Sequence, residues 1–517
     1  SAVLGLQLKL PRDWRVSLDT QIAHNLTKYR GLAGLDRDRW QQLVDAGKYN
    51  PLRDTQLSGP PREIYDQVLI YRNARDRFST LGNYEARDVA LRVAHDALAL
   101  PTGRAALNAG ADFRSTFLAR YSETPRYGDG TPAAETAEWS GRTLQRYSVF
   151  GELRAPLAPE SRLPSWLRSL ESDLAVRYIA ANSGRESYVA PTIGLKAELR
   201  GGFALRGSFT TSSRYPTPVM NRRIFNLDGG GGGGLFYEEI HDPRRGGETY
   251  NVISNEDPAP AVSPESAATQ ALGIVFQRGR THRLRATLDF VDTRKVNELV
   301  GLNAQTLVDL EHLFPGRVTR SPLAAGDTRG VGPIFSVYRG TTNLAWRHSQ
   351  NWNGALDYAW TECLGGKLDF YGRLLLFQSY KLERVTGSGV IDELYHPDSD
   401  DLGLLRYRAN FGASWSDRHQ AFGLDGHYYH SRKLPVQEWA VQGHRQIRPF
   451  WQFDAYLQQD LGRWLPWARD RRGLTAQVRV NNIFRSGFPI NRLDSSGVQP
   501  YGDWRDRTYS LSLTATF

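Results

Sequence analysis

The feature that most constrains this chain is a strict alternation of apolar and polar residues, held over long segments and repeated from end to end. Successive side chains of a β-strand point to opposite faces, so such alternation builds a strand with one apolar and one polar face. In the last segment Tyr509, Leu511, Leu513, Ala515 and Phe517 share a face, and Ser510, Ser512, Thr514 and Thr516 share the other. Leu474, Ala476, Val478 and Val480 likewise oppose Thr475, Gln477, Arg479 and Asn481. Leu405, Tyr407, Ala409, Phe411, Ala413 and Trp415 alternate with Arg406, Arg408, Asn410, Gly412 and Ser414. Phe422, Leu424 and Tyr428 oppose Asp425, His427 and Tyr429, and Leu284, Ala286, Leu288 and Phe290 oppose Arg283, Arg285, Thr287 and Asp289.

Segment length narrows the choice of fold. Strands of soluble proteins usually run about five or six residues, whereas many of these segments run to about twelve or more. A strand tilted by about 45° needs some 9–11 residues to cross the hydrocarbon of a bilayer. The connections fall into two classes, which an outer-membrane barrel requires: short turns on one side and long loops on the other. Pro11-Arg12-Asp13, Pro101-Thr102-Gly103 and Gly201-Gly202 are of the first kind, and roughly 26–84, 122–141, 214–267 and 296–329 are of the second. Within the first long loop, Leu35 to Ala46 has helical spacing and ends at Gly47, which predicts a short helix. The pattern supports about eighteen strands. The fold class expected is therefore all-β, a transmembrane antiparallel up-and-down β-barrel spanning 1–517.

Mean composition agrees with this only once the alternation is taken into account. The chain is 40% hydrophobic and 23% charged, with a mean hydropathy of −0.50. A barrel with a polar interior averages to such a value although its outer face is apolar. No stretch approaches the roughly 20 apolar residues of a spanning helix; the tightest cluster is Leu374 to Phe377. The opening residues Ser1 to Leu6 lack the basic region and apolar core of a secretory signal. A single cysteine, Cys363, excludes an intramolecular disulfide framework. The net charge is +10, but Lys and Arg are interspersed with Asp and Glu without a basic block, so nucleic acid is not an expected partner.

No constellation of a catalytic site stands out. Gly229 to Gly234 lacks the Gly-Lys-Ser/Thr of a phosphate loop and suits a flexible external loop, beside Arg222, Arg223, Asp228, Glu238, Glu239 and Asp242. His427 and His430 fall on opposite faces of a strand and make a poor metal pair. No Gly-x-Ser-x-Gly or His-Glu-x-x-His occurs, and no cofactor is implied. The polar phase places Arg283, Arg285, Arg406, Arg408, Asp425 and Arg479 as candidate lumen-facing residues, where they contact a filling domain or select ligands. Trp360, Trp415, Trp451 and Trp504 stand near strand ends, the place of an interfacial aromatic girdle; Trp352, Trp464 and Trp467 are placed alike.

The segment Leu474 to Phe484, with Asn482-Ile483-Phe484 at its end, followed by Tyr501 to Phe517, resembles the two closing strands of the TonB-dependent receptors. The Gly of that family's last-strand entry is replaced in Asp506-Arg507-Thr508-Tyr509. Tyr188 to Lys196, Leu205 to Phe209 and Ser213 to Pro218 are similar to its mid-barrel hairpin and following loop, and Pro264-Glu-Ser266 and Phe314 to Arg320 to further elements, so that the resemblance covers roughly 185–517. It implies a barrel of about 22 strands in the complete protein, uptake of a scarce bulky ligand such as a metal chelate or an oligosaccharide, and no enzymatic step. The implied partners are outer-membrane lipid, the barrel-insertion machinery and an inner-membrane energy-coupling complex acting through a plug, in a diderm bacterium. Tyr509, Leu511, Leu513 and Phe517 match the terminal assembly signal of such barrels. The family's plug and energy-coupling box have no counterpart ahead of the hairpin Val3 to Leu10 and Trp14 to His24. A fragment, a plugless relative, a passive porin-like channel and, more remotely, a soluble β-rich carbohydrate-binding module all stay open on the sequence.

Overall fold

A computed structural model describes the chain except residues 26–28, 49, 51–61, 75–83, 119–120, 124–125, 133–136, 140–141, 183–186, 217–223, 226–234, 256–261, 398–403, 437–438, 463–473, 491–500 and 516–517. Alternating segments pair in chain order into one antiparallel sheet of 17 strands. These are β1 (Ala2–Leu10), β2 (Trp14–Asn25), β3 (Tyr84–Leu100), β4 (Gly103–Leu118), β5 (Arg142–Pro156), β6 (Leu167–Ala181), β7 (Tyr188–Leu199), β8 (Phe203–Arg214) and β9 (Glu265–Arg278). They continue as β10 (His282–Val300), β11 (Thr342–Cys363), β12 (Gly366–Glu383), β13 (Tyr407–Ser416), β14 (Gln420–Tyr429), β15 (Phe450–Asp460), β16 (Leu474–Asn481) and β17 (Thr508–Ala515). The three residues Val390–Asp392 add a short branch on β12. The sketch of about eighteen strands is thus one more than the consecutive series, and among the described residues β1 pairs only with β2 and β17 only with β16.

Register keeps the apolar phase continuous from strand to strand. Ile274 lies opposite Leu288, Leu288 opposite Gly354, and Gly354 opposite Leu374. Further round, Leu457 lies opposite Val478, and Val478 opposite Leu511. A slip of one residue anywhere would turn that whole strand inside out. The apolar face is open: Leu272 is 66% exposed, and Leu288, Leu356 and Leu457 are all exposed. Such a belt needs hydrocarbon around it, which is the physical signature of a transmembrane barrel. The apolar core that the molecule does bury lies elsewhere, in the loops: Ile240, Val252, Leu307, Val308, Ile334 and Val337 are packed out of solvent.

Connections on the two sides differ in length, with 157–166 and 461–473 on the short-turn side and 182–187 on the long-loop side as exceptions. Residues 11–13, 101–102, 200–202, 279–281, 364–365 and 417–419 are tight turns on one side. Residues 26–83, 119–141, 215–264, 301–341, 384–406, 430–449 and 482–507 are long connections on the other. Several boundaries differ from the sequence reading, the end of the fourth predicted loop, at 341 and not 329, among them. β10 continues to Val300, so the fourth predicted loop starts later, and β13 starts at Tyr407, leaving Leu405 and Arg406 outside it. Alternation persists into 405 and 406, but the chain bends there.

The predicted loop helix is present as Arg37–Asp45. Asp36 caps it, its carboxylate accepting the Arg39 N–H at 2.9 Å and the Tyr127 hydroxyl at 2.5 Å. Gly47, with φ of 69°, follows the helix end as a left-handed stop. The loops 215–264 and 301–341 together build a compact module. Its sheet runs Leu235–Asp242, Glu248–Asn255, Ile334–Tyr338 and Val318–Arg320, flanked by the helix Ala304–Asp309 that Asn303 caps through Thr306 N at 2.7 Å.

Candidate functional site

The polar phase of the strands forms the inner wall, and its charges meet mainly across strands. Arg206 on β8 donates to Asp289 on β10 at 2.8 and 2.7 Å. The intervening strand makes room: residue 273 of β9 is glycine, and a Cβ there would lie 2.0 Å from the Asp289 carboxylate. Tyr371 on β12 donates to Asp425 on β14 at 2.7 Å across Gly412 of β13 in the same way. Arg479 stands 3.6 Å from Asp425 and 3.7 Å from Asp454, and its Nε donates to Asn481 at 2.9 Å. Asp454 also accepts the Asn482 N–H at 2.8 Å. On the early strands Arg92 pairs with Asp19 at 3.0 Å, Arg114 with Asp88 and Arg177 with Asp112. Such pairs, bathed by solvent, orient the wall more than they stabilise it.

The sequence-derived residues distribute as follows. Arg283 and Arg285 sit on the polar phase of β10, opposite Ala359 and Asp357. Arg408 opposes Tyr429 on the same phase, and Asp425 and Arg479 join the cluster just described. Arg406 departs from expectation: it precedes β13, accepts the Phe377 N–H on its carbonyl at 2.8 Å, and lays its guanidinium over the Tyr395 ring at 5.5 Å. His427 contacts Asn410 at 2.9 Å on the inner wall, whereas His430 stacks on Tyr407 at 4.1 Å beyond the strand end. Among the described residues no cluster of His, Cys, Asp and Glu could hold a metal. Gly229 to Gly234, Arg222, Arg223, Asp228, Trp464 and Trp467 lie outside the described residues.

The outer aromatics sit at two levels. Near the short turns Trp360 packs against His282 at 5.2 Å, and Trp415 stacks on Phe422 at 5.4 Å while its indole donates to the Cys363 carbonyl at 2.9 Å. Towards the long loops Trp451 packs on Tyr428 at 4.3 Å and Trp352 on Phe290 at 4.9 Å. Trp504 stands outside both, exposed in the connection ahead of β17. Tyr509, Leu511 and Leu513 are exposed along β17, and Phe517 lies outside the described residues.

Sequence reasoning missed the partners within the wall, such as Arg206 with Asp289 and Arg177 with Asp112. Each residue was legible on the polar phase of its own strand, but the pairing depends on register over two strands. It missed a loop-side pocket as well, lined by Lys433, Gln442, 444–449 and 488–490. Lys433, His444, Arg445 and Arg448 line it beside Ile447, Phe488 and Ile490, and no carboxylate belongs to the described lining. Arg445 stacks over the Trp439 ring at 4.8 Å, and Arg448 donates to the Gly487 carbonyl at 2.8 Å, so both arginines are held in place by neutral groups.

Above the wall, the loop module is locked by a buried charge cluster. Arg320 donates to both oxygens of fully buried Asp242, at 2.7 and 3.0 Å, and to Glu311 at 2.7 Å. The Tyr250 hydroxyl adds a bond to Asp242 at 2.6 Å. Burial alone would push the Asp242 carboxyl up; Arg320 and Tyr250 override it and hold the group below the ordinary carboxylate range.

Comparison with solved structures decides the fold. The siderophore receptor PirA from Acinetobacter baumannii superposes on the whole of this chain with a TM-score of 0.57 at 13% identity, the chain covering 62% of it. A mutant of the ferric enterobactin receptor PfeA from Pseudomonas aeruginosa does so with a TM-score of 0.58 at 14% identity, 61% of its length being covered. This chain has the barrel fold of outer-membrane receptors. The resemblance to the TonB-dependent receptors, carried by the closing strands, therefore holds for the fold. The outer membrane transporter YddB from Escherichia coli matches this barrel too, with a TM-score of 0.53, 9% identity, all of the chain and 68% of that transporter. The chain thus spans less than two thirds of the two receptors. No family model and no curated protein matches it in sequence.

Proposed function

We propose that this chain is the barrel portion of a TonB-dependent receptor in the outer membrane of a diderm bacterium, taking up a scarce, bulky ligand without bond chemistry. The observation that carries the reading is the division of one continuous sheet into an exposed apolar belt and a charged inner wall, with a built loop module on one side only. The belt suits lipid, the long-loop side suits the exterior and the short-turn side the periplasm. In the complete protein about 22 strands and a plug acted on by an inner-membrane energy-coupling complex belong to this reading. Tyr509, Leu511, Leu513 and Phe517 serve the insertion machinery in it, and Trp360, Trp415 and Trp451 the membrane interfaces.

Between a metal chelate and an oligosaccharide, the Lys433, Arg445 and Arg448 side chains of the loop-side pocket, with no carboxylate among its described lining, favour an acidic chelate. Two structural neighbours, a siderophore receptor and a ferric enterobactin receptor, point the same way. The test is uptake of labelled ferric chelates by cells that produce the full-length protein, with and without a collapsed proton gradient. Uptake that needs the gradient, together with a closed protein in planar bilayers, is the expected result. Steady open conductance and gradient-independent passage would replace this reading by a passive pore. A protein that stays monodisperse in plain buffer would end the membrane assignment altogether.

A further inference from the structure

On the short-turn side of the inner wall, β6 to β10 line an open chamber of about 800 Å³. Five cations line it, Arg168, Lys196, Arg200, Arg206 and Arg285, against two carboxylates, Glu160 and Glu198. Lys196 is neutralised by Glu198 at 2.6 Å and Arg206 by Asp289 at 2.7 Å. Among the described residues Arg168, Arg200 and Arg285 have no carboxylate within ion-pair distance, so the chamber carries an excess of positive charge. Elsewhere on the wall Arg92, Arg114, Arg177 and Arg347 each have an acidic partner.

Local backbone structure aims these groups. Arg168 falls where the register of β6 on β7 shifts between Leu167 and Ser169, and the extra residue of such a bulge is re-aimed out of the ladder. Arg200 leads into the Gly201-Gly202 turn, whose φ angles of 93° and 94° bring the hairpin back sharply, and its N–H is tied to the Trp166 carbonyl at 2.9 Å. Arg285 enters from β10 on the same phase as Asp289.

We propose that this chamber is a binding site for a ligand bearing two or more oxyanion groups, carboxylate or phosphate, at the periplasmic end of the lumen. The planar fork of each guanidinium can donate two hydrogen bonds to one oxyanion, and three such forks, from two strands and a turn, match a multivalent anion better than a single charge. The site rests on the barrel reading above for its place in the lumen, and on its own geometry for the chemistry.

The experiment is calorimetric titration of the full-length protein in detergent micelles with citrate and, separately, with inorganic pyrophosphate, the two arms telling carboxylate from phosphate. Saturable binding of one of them is expected, weakened about tenfold or more by Arg168→Gln or Arg285→Gln, which each remove charged hydrogen bonds. Arg285→Lys should recover part of it, and Arg505→Gln, in a distant loop, should change nothing. Should the variants not fold, as read by heat-modifiable migration, the unaltered protein still answers. The bound anion should then protect Arg168, Arg200 and Arg285 from phenylglyoxal, mapped by mass spectrometry. Absence of saturable binding, indifference to the two Gln variants, or lack of protection at these arginines overturns the proposal. Because uptake is measured in cells and this binding on purified protein, either reading can fail without the other.

Discussion

Arg206 reaches Asp289 over β9 because residue 273 has no side chain, and Tyr371 reaches Asp425 over residue 412 for the same reason. The two glycines differ in what a methyl group would meet. At Gly273 it meets the movable ends of two side chains, whereas at Gly412 it meets the Tyr371 ring at 2.5 Å and the Leu424 carbonyl at 2.8 Å. Gly273→Ala should part a solvated ion pair at a cost of about 1 kcal/mol or less. Gly412→Ala should cost clearly more, and denaturant titration in micelles that ranked them the other way would contradict this account. Asp242 is the opposite case, a fully buried carboxylate whose removal strands Arg320. Asp242→Ala should destabilise the loop module by about 3–5 kcal/mol, read as lost hydrogen-exchange protection over 235–255. The pH dependence follows from the same contacts. Burial would raise the Asp242 and Glu311 carboxyls, but Arg320 holds both below their ordinary values. Their stabilisation is therefore present above the unfolded carboxylate range, about pH 4, and fades as the pH falls through the lower folded values. Module protection should be flat at neutral pH and drop on acidification, while Asp242→Ala should lack that part of the drop.

Among the elements, the hairpin turns are the least forgiving. Gly279 closes the β9–β10 hairpin with φ of 95°, and a Cβ there would stand 1.7 Å from the His282 carbonyl. Gly279→Ala should block that hairpin and leave the protein heat-unmodifiable on a gel, whereas Gly365, φ 75° with open space around its Cβ position, should tolerate Ala with only the cost of the strained backbone. The loop helix Arg37–Asp45 depends on one cap. Asp36→Ala removes the acceptor of the Arg39 N–H and the partner of the Tyr127 hydroxyl, and should cost about 0.5–2 kcal/mol of local stability. Amide exchange in 39–45 that stayed as slow as in the parent protein would show that tertiary packing, not the cap, holds this helix.

For the molecule as a whole, the placement of apolar side chains inverts that of a soluble protein: the belt is outside and the buried core sits in the loops. Adjacent positions of β10 separate the two environments. Leu288 faces the belt and Thr287 the inner wall. In lipid vesicles Leu288→Arg should cost about 2–4 kcal/mol, while Thr287→Arg should be far milder. Equal costs would remove the distinction between lipid and lumen on which the function rests.

Alternation by itself determined the all-β class, the strand faces and the two kinds of connection, because side-chain direction in a strand is a local property of period two. The shared polar phase of Arg283, Arg285, Arg408, Asp425 and Arg479 and the helix near Leu35 to Ala46 were legible for that reason, as was the apolar face of the last strand. Register was not legible, since which residues stand opposite one another across β8, β9 and β10 is a non-local outcome of pairing. Only the tertiary structure could therefore join Arg206 to Asp289, place Arg406 outside its strand and bring Arg168, Arg200 and Arg285 together with no ion pair among the described residues. The loop module was hidden for a further reason: its core is assembled from two connections far apart in sequence, so neither shows a complete apolar pattern until the two are packed together.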